Sequence, residues 1–222
     1  MIRKKYVSRL AVSCCLVLLV AIQGRAETLF STKFNKGGWN PEEWILAKSP
    51  ELNHFGKWVQ RDASIENETP ADEAKKTSWA ETFTTMVYKD KVGGDVTISS
   101  TMEFLDRYAP GIVLVQEIGS DKEGKPEYRE FFEVCIYNEG VNIWQHFFKD
   151  GKWGHKKTAY ENFTLKPNTH YRLEIKKKGK EFSVAIDGHK FGYLEVSLPE
   201  EVYAGIEGCE GVNRFYDFAI DK

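Results

Sequence analysis

One stretch restricts what this chain can become more than any other. From Tyr128 to Lys149 it reads Tyr-Arg-Glu-Phe-Phe-Glu-Val-Cys-Ile-Tyr-Asn-Glu-Gly-Val-Asn-Ile-Trp-Gln-His-Phe-Phe-Lys. Two β-type runs flank Asn138-Glu139-Gly140, and that tripeptide is turn chemistry between extended segments. With Glu139 and Gly140 as the loop, Asn138 pairs with Val141. Ile136 then faces Ile143, Val134 faces Gln145 and Phe132 faces Phe147 on one side of the ribbon. On the other side Cys135 faces Trp144, Glu133 faces His146 and Phe131 faces Phe148. Side chains alternate between faces along a strand, so a slip of one residue would scramble both sets. The first set is mostly aliphatic and belongs in a core. The second mixes an acid, an imidazole and aromatic rings, which suits a binding surface.

The rest of the chain repeats the same grammar. Glu27 to Phe34 reads as a strand, broken by Gly37-Gly38-Trp39-Asn40-Pro41, with Pro41 to Trp44 as a short helical turn. His54 to Ile65 and Ser78 to Tyr88 read as strands, and the polar segment Asn67 to Lys76 between them as a surface loop. In Asp95 to Phe104, Val96, Ile98, Met102 and Phe104 share one face while Thr97, Ser99, Thr101 and Glu103 share the other. Ile112 to Ile118 is almost wholly apolar, a strand covered on both sides, ending in Gln116-Glu117. Asp150-Gly151-Lys152-Trp153-Gly154 reads as a second turn, alternating runs lie at Tyr171–Ile175 and Phe182–Ile186, and Asp187-Gly188 supplies a reverse turn. Val202–Ile206 and Arg214–Ile220 close the chain, the latter with Tyr216, Phe218 and Ile220 on one face. About a dozen short strands at roughly 8–12-residue spacing, with no long helical pattern, predict an all-β sandwich or barrel.

The N-terminus predicts processing instead of structure. Arg3, Lys4, Lys5 and Arg9 precede an apolar run from Leu10 to Ile22, then Gly24-Arg25-Ala26. That is a secretory signal cleaved after Ala26, leaving residues 27–222 as a single secreted or periplasmic domain. The run is shorter than the roughly 20 residues that span a bilayer, so no membrane insertion of the mature chain is expected. Lipidation at Cys14 or Cys15 is the weaker alternative. Basic and acidic residues number 31 and 33, so nothing in the charge favours nucleic acid. Aromatics make up 14 % of the chain, and any surplus on a surface suits carbohydrate, whose flat faces stack on rings. Cys135 and Cys209 remain after cleavage; an oxidising compartment allows a disulfide between them, and two buried free thiols are equally compatible.

The last third resembles the concanavalin A-like lectin/glucanase domains. Tyr171-Arg172-Leu173-Glu174-Ile175, a basic turn, then Phe182-Ser183-Val184-Ala185-Ile186-Asp187-Gly188 is similar to their strand-turn-strand pattern. Ala204-Gly205-Ile206-Glu207-Gly208 with Phe215-Tyr216-Asp217-Phe218-Ala219-Ile220 resembles their closing pair, and Gly56-Lys57-Trp58-Val59 and Pro110-Gly111-Ile112-Val113-Leu114 sit where such domains carry two further strands. Within that group the layout is most like the secreted 3-keto-disaccharide hydrolase-like domains. The resemblance implies a two-sheet antiparallel jelly-roll sandwich whose concave sheet holds saccharide. It does not carry over an activity: the Glu-x-Asp-x-x-Glu run of laminarinase-type glucanases is absent, as are legume-type metal ligands.

Candidate chemistry gathers on the hairpin. Glu133 and His146 form either an acid–base pair acting on a sugar hydroxyl or glycosidic oxygen, or a polar cross-strand pair that stabilises the ribbon. Trp144, Phe148 and Tyr137 are stacking platforms or core, and Arg129 shares their face. Glu103 has the outward parity of its strand; on the same face as Glu133 it would complete a two-carboxylate glycosidase arrangement. Gln116 is a further candidate contact. His54, His155, His170 and His189 show no ligand spacing, so no transition-metal site is expected. A calcium ion held by loop Asp and Asn residues would fit the fold, without a motif behind it.

Overall fold

The computed structural model describes residues 27–52, 54–68, 81–105, 109–195 and 197–222. The basic and apolar leader with Cys14, Cys15 and the Ala26 cleavage site lies outside those residues, as do most of the expected Asn67–Lys76 loop and the start of the Ser78 strand. Among the described residues no helix is long and apolar enough to cross a membrane.

The strands run β1 (Thr28–Lys33), β2 (Trp44–Lys48), β3 (Lys57–Gln60), β4 (Ile65–Glu68), β5 (Glu81–Tyr88), β6 (Val92–Gly93), β7 (Val96–Phe104) and β8 (Pro110–Ser120). They continue as β9 (Pro126–Tyr137), β10 (Gly140–Lys149), β11 (Lys152–Asn162), β12 (Tyr171–Lys178), β13 (Glu181–Ile186), β14 (His189–Glu195), β15 (Glu201–Glu210), β16 (Asn213–Phe215) and β17 (Asp217–Asp221). The helical turn at Pro41 is a short 3-10 segment, Pro41–Glu43, capped by the Asn40 side chain.

Two antiparallel sheets form the jelly-roll sandwich. One runs β14-β13-β12-β7-β16-β4-β3, with β17 joining β7 to β1. The other runs β11-β10-β9-β8-β15-β5-β2 through consecutive antiparallel pairs. That second sheet curls strongly: β2 returns to bridge β9 at Lys48 and Glu127, where the ammonium lies 2.9 Å from the carboxylate. The facing sides of the two sheets hold the main core, including Ile98, Met102, Phe104, Leu173, Ile175 and Phe182 against Ile112, Leu114, Phe132, Val134 and Ile136. Burying side chains of this size contributes about 1.5–3 kcal/mol each. A smaller cluster of Ala47, Val87, Val113, Val115, Tyr128 and Phe131 spans β2, β5, β8 and β9 on the side toward which the second sheet curls.

The central hairpin pairs two residues away from the expected register. Tyr137 pairs with Gly140, so Asn138 and Glu139 form the loop. Gly140 is needed inside the strand, not the turn: a Cβ there would stand 1.9 Å from the Glu161 carbonyl oxygen of β11. A slide of two preserves the parity, so the two sets of side chains keep their faces. Glu133 sits opposite Trp144, and His146 opposite Phe131. The turn expected over Asp150–Gly154 is tighter: Asp150 and Gly151 make it, with φ of 52° and 71° in the left-handed pair that such hairpins require, and Lys152 already opens β11.

Three other readings change. The His54–Ile65 run is a hairpin, in which Gln60 pairs with Ile65 and its amide holds the Phe34 and Ser64 carbonyls. The strand after Ala109 is covered on both sides only as far as Val115, beyond which it opens to solvent. In the closing segment Phe215, not Tyr216, enters the core, because Tyr216 interrupts the strand and its N–H bonds the Thr101 carbonyl.

Candidate functional site

The curled sheet carries a cleft of about 280 Å³ on its concave side. Glu133 on β9 and His146 on β10 form its floor, both at only 4 % exposure. Their side chains meet diagonally across the hairpin, with His146 Nε2 3.0 Å from Glu133 Oε2. The imidazole is clamped by stacking, 4.2 Å and nearly parallel to the Phe131 ring and 5.1 Å from Trp153. Its other nitrogen, Nδ1, is buried without a hydrogen bond, and Glu51 Oε1 lies 3.5 Å away. Glu51 arrives from the segment after β2 and is held by the Trp153 indole N–H at 3.2 Å. Its Oε1 is also 3.3 Å from Nδ1 of His155 on β11.

A second acid lies beside Glu133 across a notch, beneath the cleft lining. Gly111 on β8 pairs with Glu207 of β15 on one side and Cys135 of β9 on the other. Glycine puts no side chain between them, and a Cβ there would come within 2.8 Å of the Val134 carbonyl oxygen. Glu207 is fully buried, and neither carboxyl oxygen has a hydrogen-bond partner. Donor atoms of Glu133, Glu207 and Cys209 lie within 4.8 Å of one another. Cys135 and Cys209 are buried free thiols, and the Cys209 thiol donates to Glu133 Oε1 at 2.9 Å.

These surroundings push the two carboxyls apart. Burial alone would raise Glu133, but the hydrogen bond and charge of His146, aided by the two thiols, hold it below the usual carboxylate range. His146 rises: burial works against its charge, and the Glu133 and Glu51 carboxylates outweigh burial. Glu207 is driven well above the usual range by burial first and then by the charges of Glu133 and Glu51, so it stays protonated. For Cys135 the neighbouring Cys209 thiol pulls downward, yet burial and Glu133 carry it up to about 12.

Trp144 and Tyr137 stand in the cleft wall, with Trp144 edge-on to His155 at 5.5 Å. Phe83 completes it from β5. Its backbone φ is 34°, left-handed for a bulky residue, at the bulge where Gly208 pairs with Thr84 but Glu210 pairs with Glu81. The other expected residues stand elsewhere. Glu103 belongs to the opposite sheet and cannot join Glu133; parity separates core from outside but does not say on which of two sheets a strand lies. There it binds Arg214 at 2.8 Å and lies 3.3 Å from His170. Gln116 keeps the parity of Ile112 and Leu114, beside a bulge after Val115, and does not line the cleft. Arg129 pairs with Glu127 at 2.7 Å and covers the Phe148 ring, both outside the cleft lining.

Glu51, Phe83, Glu207 and Cys209 carry no local signal, since each arrives from a strand or loop distant in sequence. His155 did have one. Two loop residues at Asp150-Gly151 make Lys149 pair with Lys152, and counting back sets His146 directly opposite His155.

No protein-family model matches the chain, and no curated protein matches it. Solved structures do match in fold. A carbohydrate-binding module, CBM66, from Bacillus subtilis superposes with a TM-score of 0.58 at 14 % identity, over 81 % of this chain and 96 % of that one. β-Agarase A from Zobellia galactanivorans gives 0.59 at 10 % identity, over 86 % and 89 %. The Bacillus licheniformis β-glucanase gives 0.55 at 9 % identity, over 90 % and 99 %. At these identities the likeness establishes the concanavalin A-like jelly roll and nothing finer.

Proposed function

We propose that this is a secreted or periplasmic saccharide-binding domain whose ligand enters the cleft above Glu133 and His146. The observation that carries the reading is the company those two residues keep. Indole and phenol rings of Trp144 and Tyr137 flank a floor of buried polar groups, where Asn142 Oδ1 has no partner within the protein. Rings for the flat face of a sugar, next to unspent hydrogen-bonding capacity for its hydroxyls, are what saccharide recognition needs. The volume is at the small end for ligand clefts, about 300–1,000 Å³, which favours one or two sugar units over a long polymer. The carbohydrate module and agarase among the structural neighbours support the same class of ligand.

A second reading, hydrolysis of a 3-keto-disaccharide or related glycoside, draws on Glu133 and Glu207. Two neighbouring carboxyls driven in opposite directions give one ionised group and one that keeps its proton, the division of labour that acid–base catalysis uses. A saccharide array followed by calorimetry separates the readings. Binding that Trp144→Ala weakens about tenfold supports the first. Product release that Glu133→Gln abolishes supports the second. An array without any binding by the wild-type protein sinks both.

A further inference from the structure

We propose that Glu51, His146 and His155 form a divalent transition-metal site of the zinc class, with one coordination position facing the cleft. Glu51 Oε1 lies 3.5 Å from His146 Nδ1 and 3.3 Å from His155 Nδ1, and the three residues offer donor atoms all within 4.8 Å of one another. Bonds of about 2.0–2.1 Å at tetrahedral angles set donors about 3.3 Å apart. The two separations from Glu51 therefore already match those of a zinc site, and the two histidines offer donors within 4.8 Å of each other.

The position of His146 Nδ1 supplies the independent argument. Nε2 is already engaged by the Glu133 carboxylate at 3.0 Å. Nδ1 is therefore the nitrogen left to a further ligand, and it faces Glu51. That nitrogen is buried on a side chain of 4 % exposure and has no hydrogen-bond partner. A metal ion between Nδ1 and Glu51 Oε1 would give that buried nitrogen a partner. A carboxylate behind a histidine, fixing its tautomer and ring direction, is also the usual support of a metal-bound imidazole.

The surroundings hold the donors in place. Phe131 and Trp153 both pack against the His146 ring, the Trp153 indole fixes Glu51, and Trp144 stands edge-on to His155. The Asp150-Gly151 turn fixes the two histidines as direct cross-strand partners. Two imidazoles and one carboxylate suit Zn²⁺ better than Ca²⁺ or Mg²⁺, which prefer all-oxygen shells. With three protein donors, the fourth position is left to water or to an oxygen of whatever occupies the cleft. The site stands on its own geometry, whatever the organic ligand is.

The test uses the purified protein after chelator treatment, titrated with Zn²⁺ by calorimetry and with Co²⁺ in the visible range. The expected result is one equivalent of Zn²⁺ per chain and the d–d absorption of low-coordinate Co²⁺, without a sulfur-to-metal band. His155→Ala, a change at a half-exposed position that leaves the core intact, abolishes stoichiometric uptake, and Glu133→Gln weakens it about 10–100-fold. His170→Ala, on the other sheet, leaves it unchanged. No stoichiometric uptake by the wild type, uptake that survives His155→Ala, or equal loss in His170→Ala overturns the site. A sulfur-to-cobalt band also overturns it, since it would move the metal to Glu133, Glu207 and Cys209.

Discussion

Each sheet carries a group of sequestered carboxylates on its outer face, and the two groups are neutralised to different degrees. On the larger sheet Glu66 and Glu103 share Arg214, which reaches them at 3.0 Å and 2.8 Å, while Arg61 also binds Glu66 and His170 approaches Glu103. On the curled sheet Glu133 has one imidazole and a thiol, Glu51 has an indole and two imidazoles nearby, and Glu207 has nothing. Fixed guanidinium charge makes the first group a structural clamp. In the second, the charge balance depends on protons that can move or on a cation from outside. Buried charge without a permanent counter-charge costs folding free energy, and such sites accumulate where ligands bind.

The comparison breaks most visibly at Arg214. Arg214→Ala removes the shared cation and leaves two nearly buried carboxylates facing each other, so about 3 kcal/mol of stability should go, read as a shift in the denaturant midpoint. A loss below 1 kcal/mol would mean the larger-sheet group is no clamp. The cleft should keep its ligand affinity in that variant, because Glu103 and Glu66 stand on the opposite sheet.

Glu103 also shows where reading the chain stops. Alternation at Val96, Ile98, Met102 and Phe104 is a local signal, and so are the Asp-Gly turns, which is why strands and the sandwich are legible. Alternation assigns each side chain to one of two faces, yet a sandwich has two outer faces, and only strand order, a non-local property, tells them apart. The hairpin shows the opposite case. Its register slides by two because Gly140 is used for close approach to β11, and still Glu133, Cys135, Trp144 and His146 emerge together, because two is the period of the strand. Half of the cleft is thus written within one ribbon. The other half, Glu51, Phe83 and Cys209, meets it only through the curl that brings β15, β5 and β2 alongside.

Glu66 and Glu207 should also respond to pH in opposite directions. Burial raises Glu66 but its two arginines outweigh that and hold it below the ordinary glutamate value of 4.5, so the unfolded chain binds more protons and stability falls as pH drops below that value. Glu207 is held well above 4.5, so the folded chain binds more protons and stability falls as pH rises from 4.5 toward the folded value. Glu207→Gln removes the second slope, worth at most about 1.4 kcal/mol per pH unit, and should flatten the thermal stability profile on its alkaline side while leaving the acid limb. Identical alkaline limbs in the two proteins would show that Glu207 is ionised in the fold.

The smallest effect belongs to Arg129, and it sharpens the boundary of the cleft. Its guanidinium pairs with Glu127 at 2.7 Å and lies 4.9 Å from the centre of the Phe148 ring, so it resembles the arginines of the larger sheet more than the residues of the floor. Partly exposed pairs of this kind contribute under about 1 kcal/mol, and Lys48 remains as a second cation on Glu127. Arg129→Ala should therefore shift the denaturant midpoint slightly and leave saccharide affinity within about twofold, well under the 1.4 kcal/mol of a tenfold change. A tenfold loss of affinity would extend the binding surface past Trp153 to Phe148. The ligand would then follow the ribbon down its length instead of ending above His146.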